Sequence, residues 1–183
     1  MTVRDRDAEV ILESERLVLR RQREHDVEFL VDLWTDPDVT RHLGAPRDRE
    51  ELRVLLEETA VDPYAERFDL WPVVEKATGL VVGHCGLLDK DVEGKTEIEL
   101  VYVLAASAWG RGYATEIGSA LCRYAFETMG LTRLIALIEP GNDASERAAM
   151  SIGMAFGREV VRPDGAARML YAIDRLSRSL HER

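Results

Sequence analysis

The chain has 183 residues, 46% hydrophobic and 32% charged, the size and composition of one globular domain that needs no metal or disulfide to complete its core. Its net charge of -10 is opposite in sign to that of a typical duplex-binding domain, so nucleic acid is not the expected ligand. No apolar run approaches ~18 residues, which excludes a transmembrane helix, and no membrane partner is expected.

Residues 1–11 are polar and acidic and read as a flexible segment, neither a secretory signal nor a mitochondrial presequence, so a cytoplasmic protein is expected. Arg16-Leu17-Val18-Leu19-Arg20 then alternates with period two, the strand signature. Asp26 is placed to cap a helix whose apolar positions are Val27, Leu30, Val31 and Trp34, and Asp36-Pro37 ends it. A second helix starts at Asp48, with Glu51 as capping-box partner and Leu52, Leu55, Leu56 and Ala60 as its apolar face.

The period changes after that. Phe68–Glu75 and Leu80–Leu88 read as strands about an Ala77-Thr78-Gly79 turn, with Pro72 marking an edge or a bulge. Thr96–Leu104 is another strand. Tyr113–Met129 is helical, with Ala114, Ile117, Leu121, Tyr124 and Thr128 on one stripe and Gly130 as its stop. Arg133–Ile138 is a short buried strand, and Ala144–Ile152 a helix stopped by Gly153. Val160-Val161 and Met169–Ile173 flank a Pro163-Asp164-Gly165 turn. The result is a mixed α/β domain over residues 12–175, of about seven strands and about four helices, with 176–183 as a tail.

Cys85 and Cys122 form no CxxC pair and read as reduced, buried residues. The histidines His25, His42, His84 and His181 have no ligand spacing, so no structural metal is expected. Trp34, Tyr64, Trp71, His42 and His84 serve either the core or the wall of a binding pocket.

The segment richest in chemistry is Trp109-Gly110-Arg111-Gly112-Tyr113-Ala114-Thr115-Glu116, between a strand and a helix. Two glycines uncover the backbone, and the helix points free amides and a positive dipole end at the turn. Such a place binds phosphate, above all pyrophosphate, and Arg111 can add a charge. A Walker loop would need Gly-Lys after the first glycine, and a Rossmann loop a third small residue where Glu116 stands.

The loop resembles instead the acetyl-CoA pyrophosphate motif of the GNAT acetyltransferases, Q/R-x-x-G-x-G/A, with Trp109, Gly112 and Ala114 at its defining positions. Trp in the first place, within the run WGxGYAxE, is similar to the ribosomal-protein N-terminal acetyltransferase-like (RimJ/RimL-type) branch. The opening Leu12-Glu13-Ser14-Glu15-Arg16-Leu17-Val18-Leu19-Arg20 and the segment Asn142-Asp143-Ala144-Ser145 followed by Gly153-Met154 look like the same branch.

What the resemblance implies is a GNAT fold and acyl transfer from acetyl-CoA, as cosubstrate, to an amine: a peptide N-terminus or a small molecule. The backbone of Tyr102, Val103 and Leu104 would pair with the pantetheine arm, and Gly110, Arg111, Gly112, Tyr113, Ala114 and Thr115 would hold the pyrophosphate. Glu97 and Glu99 share a strand face; Glu99, with Tyr102, fits the branch's E-x-x-Y pattern and would act as base, often through water. Many relatives place a Tyr seven residues after the Asn, where this chain has Ala149. Ser145 would then hydrogen-bond the leaving sulfur, although a Ser at a helix start also caps. Asn142 would contact the pantetheine arm, or simply form a turn. A homodimer is a common state of such domains. A non-catalytic acyl-CoA-binding module would carry the same loop with Glu99 and Ser145 idle. A dinucleotide-binding oxidoreductase would share the loop but not the strand order.

Overall fold

The computed structural model describes residues 9–44, 47–62 and 67–175. Tyr64 and the tail at 176–183 lie outside them. Among the described residues eight strands form one sheet: β1 (Val10–Glu13), β2 (Leu17–Arg20), β3 (Leu70–Glu75), β4 (Val81–Val92), β5 (Lys95–Leu104), β6 (Arg133–Ile138), β7 (Ala155–Val161) and β8 (Ala167–Asp174). Their order is β1-β2-β3-β4-β5-β6-β8-β7. Neighbours are antiparallel except β5 and β6, which run parallel. The helices are α1 (Val27–Thr35), α2 (Pro37–Thr40), α3 (Arg49–Val61), α4 (Tyr113–Arg123) and α5 (Asp143–Ile152). No helix among the described residues is long and apolar enough to cross a membrane.

The architecture is the expected mixed, mostly antiparallel one, with one strand and one helix more than the periodicity gives. The extra strand, β1, begins at Val10, inside the segment read as flexible; it is short, half-exposed and irregularly paired with β2, so it carries no clean alternation. The extra helix is α2. Asp36-Pro37 does end α1, but it also starts the next turn: the Asp36 carboxylate accepts from Asp38 N–H at 2.8 Å, and Pro37 takes the first helical position, where its missing N–H costs nothing.

Other local signals resolve in the same physical terms. Asp26 does not cap α1 with its side chain; the carboxylate turns back to Arg20 and to the Arg23 N–H. Leu55 is 55% exposed, so the buried face of α3 is Leu52 and Leu56. Pro72 sits next to a register shift in β3 and past its last β2 partner, Val73. The chain after α4 continues as a π turn over Tyr124–Thr128. The extra residue per turn rotates the stripe, so Ala125 and Phe126 are buried where Tyr124 and Thr128 are expected.

The helices cover different faces of the sheet. α4 and α5 bury Tyr113, Ile117, Leu121, Ala149 and Ile152 against Leu87, Leu100 and Leu134. On the other face α1 and α3 bury Leu30, Val31, Trp34, Leu52 and Leu56 against Leu70 and Val103. Each such side chain contributes about 1.5–3 kcal/mol on leaving water. Cys85 and Cys122 are buried thiols outside any disulfide, and burial pushes the Cys85 thiol up to about 12.

One relationship in the sheet positions the cavity. β4 and β5 pair without interruption from Gly83↔Leu104 to Val92↔Lys95, whereas β5 and β6 share a single partner pair, Glu99↔Ile135, among the described residues. Beyond that pair the two strands part, and the β6 side of Leu100–Leu104 has no ladder.

Candidate active site

A cavity of about 680 Å³ opens where β5 and β6 diverge. Tyr102, Val103 and Leu104 of β5 form one wall, Trp109, Gly110 and Gly112–Thr115 a second, and Gly141–Ser145 at the start of α5 a third. Asp38, Arg41 and His42, from α2 and the turn after it, close a further side. His42 Nδ1 is 3.5 Å from a Glu139 carboxylate oxygen.

The loop before α4 turns on two glycines in the left-handed region, Gly110 at φ 70° and Gly112 at φ 77°. Gly112 is also the N-cap of α4 and brings no side chain to the helix end. The amides of the first turn, Tyr113, Ala114 and Thr115, thus lack a side-chain acceptor, and their residues line the cavity at the positive end of the helix dipole. Helix starts of this kind are suited to anions. Trp109 ties the loop to the strand: its indole N–H donates to the Leu104 carbonyl at 2.8 Å.

Glu116, at the position where a dinucleotide loop needs a small residue, clamps the opening segment. Ser14 Oγ and the Arg16 N–H each donate to its carboxylate at 2.7 Å, and the Arg16 guanidinium pairs with it at 2.6 Å. Glu75 holds the loop from β3, accepting from the Tyr113 hydroxyl at 2.5 Å and pairing with Arg111 at 2.5 Å. The Tyr113 and Thr78 hydroxyls hold the Glu75 carboxyl below the usual carboxylate range. Arg16, Glu116 and Glu75 were not among the expected site residues; presence in the resembling segments marked Arg16 and Glu116, and no local signal marked Glu75.

Of the expected site residues, Tyr102, Val103, Leu104, Gly110, Gly112, Tyr113, Ala114, Thr115, Asn142 and Ser145 come together on the cavity. Arg111 does not. Its guanidinium is committed to Glu75, so the charge expected at the anion is spent outside the lining. Trp34, Trp71 and His84 are buried in the core, and of the pocket candidates His42 alone reaches the wall among the described residues. Asp38 and Arg41 escaped sequence reasoning because α2 did; a Pro at a helix start was the available signal.

Glu99 is buried outside the cavity lining, and its carboxylate is 3.8 Å from Lys90 Nζ. Burial raises its pKa; Lys90, the Leu137 N–H, Arg162 and Arg168 pull the other way without cancelling the rise. Glu97 lies further along β5 and is taken up by Lys95 at 2.5 Å and Arg133 at 3.4 Å. At the α5 end the N-cap is Asn142, whose side chain accepts from the Ser145 N–H at 3.2 Å. The Ser145 hydroxyl is therefore not the cap, and the Ser145 carbonyl accepts from the Tyr102 hydroxyl at 3.0 Å. Ala149 is fully buried.

Among the described residues, a sheet split at its one parallel junction, with the uncapped start of α4 at the split, matches an acetyltransferase fold. Residues 16–155 match the Acetyltransferase (GNAT) domain, and the chain belongs to that family. It is 32% identical over 155 residues to the uncharacterized protein YkkB of Bacillus subtilis, covering 84% of this chain and 90% of that one. It is 31% identical to the uncharacterized N-acetyltransferase p20 of Bacillus licheniformis, over 77% of this chain and 80% of the relative. A crystal structure of a GNAT-family acetyltransferase from Bacillus anthracis superimposes with a TM-score of 0.74 at 25% identity, over 89% of this chain and 97% of that one. The aminoglycoside acetyltransferase AAC(6′)-Ib, crystallised with coenzyme A, shares the fold with a TM-score of 0.74 at 19% identity, over 91% and 99%.

Proposed function

We propose that the protein is an N-acetyltransferase that moves the acetyl group of acetyl-CoA to a primary amine, a peptide N-terminus or a small molecule, by direct transfer in a ternary complex. The observation that carries this reading is the meeting of the opened edge of β5 with the uncapped amides of α4 in one cavity. These residues fit the cosubstrate: the amides suit a pyrophosphate, and the unpaired strand edge suits an amide-bearing arm. The Trp109–Glu116 run and the Leu12–Arg20 segment support the RimJ/RimL-type branch. On the same fold, AAC(6′)-Ib has been crystallised with coenzyme A and kanamycin, an amine, together.

Acetyl-CoA supplies an acyl group activated as a thioester. Gly110–Thr115 hold its pyrophosphate through backbone N–H groups, and Tyr102–Leu104 align the arm along β5. A backbone N–H there polarises the carbonyl that gains charge. Glu99 accepts the proton of the attacking amine through a chain of waters, since one water cannot span the roughly 13 Å along the strand from Val103. Ser145 donates a hydrogen bond to the departing sulfur; Ala149 has no proton to give. Asn142 orients Ser145 by holding its N–H.

The test is a thiol-release assay with acetyl-CoA over a panel of amines and peptides of different N-termini. Release of coenzyme A with at least one amine, and acetylated product by mass spectrometry, is expected. Tight acetyl-CoA binding without release across the panel would leave an acyl-CoA-binding module instead.

A further inference from the structure

Arg16 lies outside the cavity lining yet holds two parts of its wall. It stands in the turn between β1 and β2. Its backbone N–H and Nε each donate to Glu116 at 2.7 Å, and Ser14 Oγ adds a third bond to the same carboxylate. Burial works to raise the Glu116 pKa, but the Ser14 and Arg16 donors outweigh it, and the carboxyl stays below its ordinary range. The anchor is thus ionised at neutral pH. From it a second arm of the guanidinium, Nη1, donates to the Arg111 carbonyl at 3.0 Å, and the group lies 4.6 Å over the Tyr113 ring.

The bond to Arg111 has a directional consequence. The Arg111 carbonyl and the Gly112 N–H belong to one planar trans peptide, so they point in opposite directions. Gly112 lines the cavity, and Gly110 and Gly112 on either side of Arg111 leave that peptide plane with little steric restraint of its own. A donor that holds the carbonyl on the Arg16 side fixes the N–H on the other. A Cβ built on Gly112 would come 3.6 Å from Arg16 Nη2, which shows how closely the guanidinium backs this peptide.

We infer that Arg16 is a positioning residue for the cosubstrate's pyrophosphate: anchored on Glu116, it holds the Arg111–Gly112 peptide so that the Gly112 N–H is presented to the phosphates. The inference rests on the reading of the cavity as the acetyl-CoA site. It also gives the two resembling segments, with Arg16 and Glu116 100 residues apart in the chain but bonded to each other, a common task in cosubstrate binding.

Calorimetry on the full chain tests it with two ligands, acetyl-CoA and, by competition, S-acetylpantetheine, which has the same thioester arm and no pyrophosphate. Arg16→Lys keeps a charge for Glu116 but has no second arm for the Arg111 carbonyl. Glu116→Gln keeps the Arg16 charge but removes its anchor. Each is expected to weaken acetyl-CoA roughly tenfold, the size of one lost charge-assisted hydrogen bond, and to leave S-acetylpantetheine within about twofold. Unchanged acetyl-CoA affinity in Arg16→Lys overturns the inference. So do equal losses for both ligands, which mark general damage to the fold, and tighter acetyl-CoA binding in Glu116→Gln, which would mean that Arg16 meets the phosphates directly. If Glu116→Gln does not fold, Arg16→Lys still decides. A wild-type protein that binds acetyl-CoA no more tightly than S-acetylpantetheine would instead refute the cavity assignment itself.

Discussion

The indole N–H of Trp34 donates to Nδ1 of His84 at 3.0 Å, in the core between α1 and β4. Accepting at Nδ1 leaves the ring proton on Nε2, so the imidazole is neutral. Burial pushes its pKa down to about 4, and Arg47, which lies over the Trp34 ring at 4.1 Å, acts in the same direction. In the unfolded chain the ring titrates near 6.5, so between these values the unfolded state binds more protons than the folded one. Stability is therefore lost as pH falls through that window, by about 3 kcal/mol in full. Melting temperatures measured from pH 7 to pH 4 are expected to fall in the wild type and to fall less in His84→Gln. Parallel curves for the two proteins would count against it.

Gly112→Asp is expected to abolish detectable acetyl-CoA binding by calorimetry. The substitution puts bulk and negative charge where the phosphates sit, at a φ of 77° that side chains rarely adopt. Wild-type affinity in this variant would remove the anion site from α4.

Glu99→Gln is expected to lower turnover by roughly 10²–10⁴ while leaving acetyl-CoA affinity unchanged. Because burial raises the Glu99 pKa, the acid limb of the wild-type pH–rate profile should lie above the usual carboxylate range, and the variant should lose that limb. A profile identical in both would assign the proton to another group.

Ser145 and Asn142 separate cleanly because the cap is Asn142. Asn142→Ala is expected to cost about 1 kcal/mol of stability in a denaturant titration. Ser145→Ala removes only a hydroxyl from the first turn of α5, so it should melt like wild type and turn over more slowly. Fast turnover in a stable Ser145→Ala would end its role at the sulfur.

The elements with one strong period were legible from the residues alone. Arg133–Ile138 has the expected bounds, and Gly153 stops α5 at φ 101° as its position suggests. What escaped lies in two kinds of place. β1 and α2 are too short to hold a period, and they owe their existence to pairing with β2 and to an Asp-Pro start. The fate of charged side chains was also hidden. Nothing local to Arg111 says that Glu75, on a strand far away in sequence, takes its guanidinium. Likewise Ser145 fits a helix cap by type, and the bond from its N–H to Asn142 is visible only in three dimensions. Tyr102–Leu104, Gly110 and Gly112–Thr115 do line one cavity, because backbone and glycine positions follow from local sequence more directly than the aim of a long side chain does.

The single pair Glu99↔Ile135 makes the eight-stranded sheet two sheets joined at one point, with α4 and α5 as the splint across them. Every second amide of Leu100–Leu104 points away from β4 and toward the opening. Such amides exchange with solvent although they belong to a central strand, while their neighbours in the β4 ladder stay protected. Hydrogen exchange along β5 should therefore alternate residue by residue in the free protein, and the alternation should fade once a ligand lies in the gap and supplies the missing edge.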